Sequence, residues 1–506
     1  MKTQAVRTPQ LITLFACGCF AFYSVAQAVN PPPDGGYPGG NTAEGTSALF
    51  SLTGGFYNTA VGIYSLLSLS DGSFNTAIGA GTLLLNTASE NTATGAGALL
   101  SNTSGTANTA DGAFALFNNA PGVENPNTPT GVFFGSFNTA VGDRALFNNL
   151  SGNSNTASGA GALTGNTIGD ANTAVGISAL SQNTTADDNT AVGAVALFDN
   201  TTGLQNTATG SSALHDNRTG SNNTADGYQA LSSNFSGDRN TATGSQSLFS
   251  NIGANNNTAD GYQAVQTNTN GNNNTGIGFE ALQNNTTGNA NTAVGANALK
   301  STTGSNNIAL GESAGIAVLA GGDNIHIGNG GANADTASIR IGLEGTQTQT
   351  FIAGIRGTVT GIANAVNVVI DSAGQLGTIN SSRRFKHNIK PMDSASESIL
   401  AFKPVTFCYK NDKSDTSQFG LIAEEVAEIN PELVVRDEKG EIFTVRYDAV
   451  NAMLLNEFLK EHKKVQELQT AFEAIKEQLK AQDEKIQKVT TQIETVTTKS
   501  QMVLND

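Results

Sequence analysis

Between Asn41 and about Gly315 polar and apolar positions recur every 17 residues or so, as Asn-Thr-Ala-x-Gly-x-x-Ala-Leu. Examples are Asn58-Thr59-Ala60-Val61-Gly62 with Leu66, and Asn172-Thr173-Ala174-Val175-Gly176 with Ala179-Leu180. The motif starts about sixteen times, the last at Asn307. Such fixed spacing predicts a solenoid in which each coil contacts only its neighbours. The fifth-place glycine, from Gly45 through Gly311, marks a corner that needs positive φ or close backbone approach. The flanking Thr-Ala-x and x-Ala-Leu segments suit two brief strands per coil, and the recurring Asn predicts a ladder of stacked amides with Thr beside it. At about 4.8 Å per coil the stack would reach roughly 75 Å. Each coil offers only an Ala or two, one Leu and an occasional Val or Ile. That core is too thin to offset the ordering entropy of the coil, so several chains are expected to wrap together. The step from Asn108 to Asn138 is longer than the others and contains Pro121, Pro126 and Pro129. The other repeats lack proline, which would remove donors from a ladder.

From Asp323 to Ile379 the period gives way to short alternating segments, including Asn324 to Ile327, Ser338 to Ile341 and Val366 to Ile370. These predict a β-rich stem. At Ser381 the composition changes abruptly to Lys, Arg, Glu and Phe. A mixed segment follows: a helix over 394–402, a strand over 405–409, a helix over 420–429, and a hairpin from Leu433 to Val445. The chain then enters heptads, with Val465, Phe472, Leu479, Ile486 and Ile493 at a, and Leu468, Ile475, Gln482, Val489 and Val496 at d. The spacing predicts a coiled coil, and branched residues at both positions favour three strands over two.

The first residues have the form of an export signal: Lys2 and Arg7, an apolar run from Leu11 to Val25, and Ala26-Gln27-Ala28 as a small-x-small cleavage site. Leu14-Phe15-Ala16-Cys17 is a loose lipoprotein box, so a membrane is a partner only if Cys17 is lipidated. With Cys17 and Cys19 inside the signal, the mature chain keeps Cys408 alone and no internal disulfide is expected. The chain carries a net charge of -16. Between Val29 and Gly315 the basic residues are Arg144, Arg218, Arg239 and Lys300, against many more acids. An acidic rod of this kind argues against nucleic acid as a partner and suits a soluble, repetitive surface.

One segment is a candidate for chemistry: Ser381-Ser382-Arg383-Arg384-Phe385-Lys386. A serine and a lysine five apart can act as nucleophile and base if a turn joins them and burial favours the neutral amine. The spacing alone equally fits a solvated basic linker. The segment resembles the opening of the intramolecular chaperone domain of phage tailspikes and endosialidases, peptidase family S74, with its pattern Ser-Asp-x-Arg-x-Lys. Ser381, Arg384 and Lys386 match, and Ser382 stands where that family usually has Asp. Phe419-Gly420-Leu421-Ile422-Ala423-Glu424-Glu425-Val426 and Asn430-Pro431-Glu432-Leu433-Val434 resemble the same family's internal signature. The resemblance implies self-cleavage of the Asn380-Ser381 bond, with Ser381 as nucleophile and Lys386 as base. The Asn-Thr-Ala-x-Gly coils are similar to the head repeats of trimeric autotransporter adhesins, which implies left-handed parallel β-rolls, three chains abreast. These coils are longer than is usual in that family, and its C-terminal membrane-barrel anchor has no counterpart here, so its anchoring route is not carried over.

The expected architecture is mainly β: signal peptide 1–28, Pro/Gly-rich leader 29–40, trimeric β-roll or solenoid 41–315, β-rich stem 316–380, small α+β chaperone and autoprotease 381–450, and a parallel coiled coil 451–506. The expected function is an exported homotrimeric, adhesin-like fibre, secreted or at the cell surface, whose enzyme activity is confined to its own cleavage. Its partners are two further copies of itself and a surface ligand, a glycan or a host or matrix protein. One alternative is a tailspike-like protein that binds or degrades glycans. Another is a repeat surface for ice or cations, which one regular Thr per coil and irregular Asp residues (Asp111, Asp226, Asp260) support poorly. The four histidines, His215, His326, His387 and His462, are scattered along the chain. No cofactor or metal is therefore expected.

Overall fold

The computed structural model describes residues 37–119, 135–355, 365–371, 374–437 and 439–503. The export segment, most of the leader and the three insertion prolines lie outside the described residues. The chain divides into two compact units, Met1–Phe351 and Ile352–Asp506.

In the first unit, eighteen three-residue strands, from β1 (Thr42–Glu44) to β18 (Ile339–Ile341), form one parallel sheet. Like residues stand opposite one another, Thr173 with Thr190 and Ala174 with Ala191. Each coil contributes one strand rather than the expected two. The x-Ala-Leu half cannot be strand because its alternate residues are left-handed: Ser178 has φ 54° and Leu180 φ 52°, and this recurs in coil after coil. A non-glycine residue pays about 1–2 kcal/mol for that conformation. Here it turns the leucine inward, and the Leu180 N–H donates to the next coil at Ala196 O (3.0 Å), while Ser178 N donates to the previous coil at Ala160 O (2.9 Å). The fifth-place glycine has two causes. Gly193 sits at φ 140°, and a Cβ on it would lie 2.5 Å from Gly210 O.

The interior closes within one chain. Ala174, Ala179 and Leu180 are fully buried, as are their counterparts in most coils. Much of the remaining interior is filled by paired Asn amides. Along the motif column, each Asn Oδ1 accepts the backbone N–H of the Asn in the next coil, from Asn58 N to Asn41 Oδ1 (2.8 Å) through to Asn324 N to Asn307 Oδ1 (3.2 Å). A second amide ladder, eleven residues further along each coil, runs from Asn86 to Asn285, with steps such as Asn217 Nδ2 to Asn200 Oδ1 at 2.8 Å. Its column begins and ends apolar, with Leu69 and Val318 buried in the same place. Burying an unpaired amide costs about 1–3 kcal/mol, whereas pairing every one makes each worth about 1 kcal/mol net. Asn183, the head of one Asn-Thr-Thr sequon, is among these buried amides.

The insertion leaves the ladder unbroken: Thr109 pairs with Thr139, and Asn138 N donates to Asn108 Oδ1 at 2.9 Å. The parallel sheet also continues past Gly315. Ile325–Ile327 and Ile339–Ile341, read from the sequence as stem, are its last two strands. There the buried alanine column changes to a buried His326 and then to Arg340, which is exposed. Asp335 accepts from the Arg340 guanidinium through both oxygens (2.7 and 2.7 Å) and lies 3.0 Å from His326 Nε2. The guanidinium holds the Asp335 carboxyl well below the usual carboxylate range. A paired polar coil thus ends a stack whose interior would otherwise be open to water.

The second unit begins with an exposed antiparallel pair, Val368–Ile370 with Leu376–Thr378. A 3₁₀ helix, Asp393–Ala401, packs on a long helix, Tyr447–Val503. Val405–Phe407 pairs with Gln418–Gly420, so the helix expected from residue 420 starts only at Ala423 and ends at Ile429. The hairpin Val434–Arg436 with Ile442–Val445 follows. Val426, Leu433, Val434, Val445 and Met453 make a small core. No helix among the described residues is long and apolar enough to cross a membrane.

Candidate functional site

The strand ending at Thr378 is followed by Ile379, Asn380 and Ser381 in irregular, exposed backbone. One 3₁₀ turn, Arg383–Phe385, then reverses the chain, with Phe385 N donating to Ser382 O (3.0 Å) and Lys386 N to Arg383 O (3.1 Å). Two basic residues and a phenylalanine in the turn give it no apolar face to bury, and none of its residues is buried. The Arg384 guanidinium lies over the Phe385 ring, 4.7 Å from its centroid. Lys386 leaves the turn in extended geometry, and its Nζ donates to Ser381 Oγ at 3.2 Å. The turn thus brings the two residues singled out for chemistry within hydrogen-bond reach of each other, beside the Asn380-Ser381 peptide. Both side chains are open to solvent in the single chain. The Ser382 side chain makes no capping bond to this turn.

The domain behind this segment is held by polar contacts that the sequence did not reveal. Ser396, fully buried on the 3₁₀ helix, donates to Glu457 and accepts from Asn456 Nδ2 (2.7 Å) on the long helix. Lys460 Nζ lies 2.7 Å from Glu457, and with the Ser396 hydroxyl it keeps that carboxyl below its ordinary range. Tyr447 Oη accepts from Leu421 N (3.0 Å), and Asn430 caps the short turn at Pro431. Of the expected internal signature, Val426, Leu433 and Val434 are core, whereas Phe419 is largely exposed.

The heptad positions are exposed as well: Phe472 at 65%, Leu479 at 57% and Ile486 at 61%. On the solenoid, one grouping departs from the expectation of scattered histidines. The coil stack sets His215 beside Asp199 and Asp216, with one ligand atom of each within 4.8 Å of the others. Residues sixteen apart in sequence meet there only because one coil has turned between them.

No curated protein sequence matches this chain as a relative. Residues 381–435, from the candidate nucleophile to the first strand of the hairpin, match the model of the family described as chaperone of endosialidase, Peptidase S74, a family of autoproteolytic intramolecular chaperones.

Proposed function

We propose that this protein is an exported homotrimeric fibre, adhesive or structural, whose C-terminal domain holds three copies in step during assembly and then cuts itself off at Asn380-Ser381. The observation that carries this reading is the 3.2 Å contact between Ser381 Oγ and Lys386 Nζ, at the first residue of the family match. In the reaction, Ser381 Oγ attacks the Asn380 carbonyl carbon and Lys386 takes the hydroxyl proton. The C–N bond breaks as the amide nitrogen gains a proton, leaving Asn380 esterified to Ser381. Water then hydrolyses the ester to an Asn380 carboxylate and a free Ser381 hydroxyl.

An ammonium group cannot accept that proton, and desolvation is what favours the neutral amine. Because the segment is exposed in one chain, its covering by neighbouring copies would arm the pair. Cutting would then follow assembly rather than precede it. Self-association is supported by the exposed heptad seam and by Phe419 and Phe443, large rings left open on a small domain. Near-identical coils supply the need for such a device, since solenoids lying abreast would meet nearly the same surface after a slip of one repeat.

The test is to express the mature chain and Ser381→Ala side by side. Wild type should yield a fragment spanning 381–506, and the variant should stay whole yet still trimerise. An uncut wild type would remove the protease reading.

A further inference from the structure

The grouping of His215 with Asp199 and Asp216 lies far along the chain from the cleavage segment and does not depend on it. Asp199 and Asp216 occupy the same place in successive coils, in a column otherwise filled by Ser, Asn, Leu, Gln, Thr, Gly and Ala. They are its only carboxylates, and they are neighbours. The adjoining column, mostly Phe, Leu, Gln and Ser, contains its single histidine at His215, beside them.

All three side chains are half-buried, and a ligand atom of each falls within 4.8 Å of the others. The imidazole is held in place by stacking on Phe198, with ring centroids 5.3 Å apart and planes 10° from parallel, and its Nδ1 lies 2.6 Å from Asp216 Oδ1. Among the described residues neither carboxylate pairs with a lysine or arginine. The nearby Arg218 instead lies over the Phe235 ring, 4.2 Å from its centroid. Two like charges stacked on adjacent coils repel unless a cation joins them.

We infer that Asp199, His215 and Asp216 form a surface site for a divalent transition-metal ion, zinc above all, that clips two successive coils together. One imidazole nitrogen and two carboxylate oxygens are borderline donors suited to zinc, and three protein ligands leave a fourth position for water or an incoming donor. Calcium and magnesium fit poorly, because calcium wants six or more oxygens and magnesium a near-octahedral oxygen shell.

The test is equilibrium dialysis of the untagged full-length protein, stripped with chelator, against zinc chloride. A parallel titration with cobalt chloride reads the d–d absorption of a low-coordinate site. The expected result is one zinc per chain at this site, with affinity at least tenfold weaker in Asp199→Asn and in His215→Ala, and the cobalt band lost in both. Asp216→Asn serves if His215→Ala does not fold. Wild-type protein that takes up no zinc would overturn the inference. So would variants that fold normally and bind zinc and cobalt as wild type does, since the ion would then sit at another histidine.

Discussion

Leu180 and Leu214 are fully buried inside the coils of one chain, whereas Phe472 and Leu479, on the C-terminal helix of the same chain, remain more than half exposed. The solenoid buries its leucines and pairs its interior amides through its own neighbouring coils, so its leucines, glycines and amides can be judged from one copy. The helix from Tyr447 to Val503 packs its first turns on its own domain, but its heptads from Val465 to Val496, roughly 48 Å of repeated apolar stripe, stay exposed. The contrast separates two tasks. Coil-to-coil pairing makes the body, and in the proposed reading the seam counts the chains.

Charging that seam should produce the largest effect. Ile475→Glu with Leu479→Glu places like charges at consecutive core positions, and light scattering should show assembly lost while the solenoid's circular dichroism persists. Assembly that survives these changes would move the counting task elsewhere. Within the solenoid, Gly193→Ala should cost about 3 kcal/mol or more in denaturant unfolding, because the added Cβ meets Gly210 O in a conformation that alanine rarely adopts. Asn206→Ala should cost about 2 kcal/mol. It removes the acceptor of the Asn223 backbone N–H (3.0 Å) and leaves that buried donor unpaired.

The smallest effect concerns charge in a half-buried column. Burial, aided by Asp187 and Asp188, raises the Asp170 pKa despite the bonds it accepts from Asn153. A raised carboxyl pKa favours the fold while the group is protonated, and that advantage is lost as pH climbs through the folded-state value. Asp170→Asn keeps the acceptor oxygen and should therefore stabilise the coil at neutral pH by a few tenths of a kcal/mol, with no gain in acid, as read from paired melts.

Much of this was legible in the sequence because the period fixes like against like. The motif Asn, the fifth-place glycine and the ninth-place leucine each recur where a stacked coil needs them, and the heptads from Val465 onward fall on one long helix. The second Asn ladder was missed because Asn183 and its equivalents sit among Thr and Ser in what reads as a polar loop. The single strand per coil was missed because nothing in Ala179-Leu180 reveals a left-handed leucine, a cost that only the assembled stack offsets. The Ser381–Lys386 pairing was legible as a spacing, and its geometry became visible once the turn Arg383–Phe385 was in place. The meeting of Asp199 with His215 was hidden for a related reason, since a contact across coils has no local signature.

The unbroken join between Asn108 and Asn138 has a consequence for how such a protein can change. Each coil presents to its successor the same amide oxygens that it takes from its predecessor, so a coil can be duplicated or deleted whole without stranding any partner. Length is therefore an inheritable variable adjusted in units of a single turn, and foreign loops can be hosted at a corner while the body beneath remains the same.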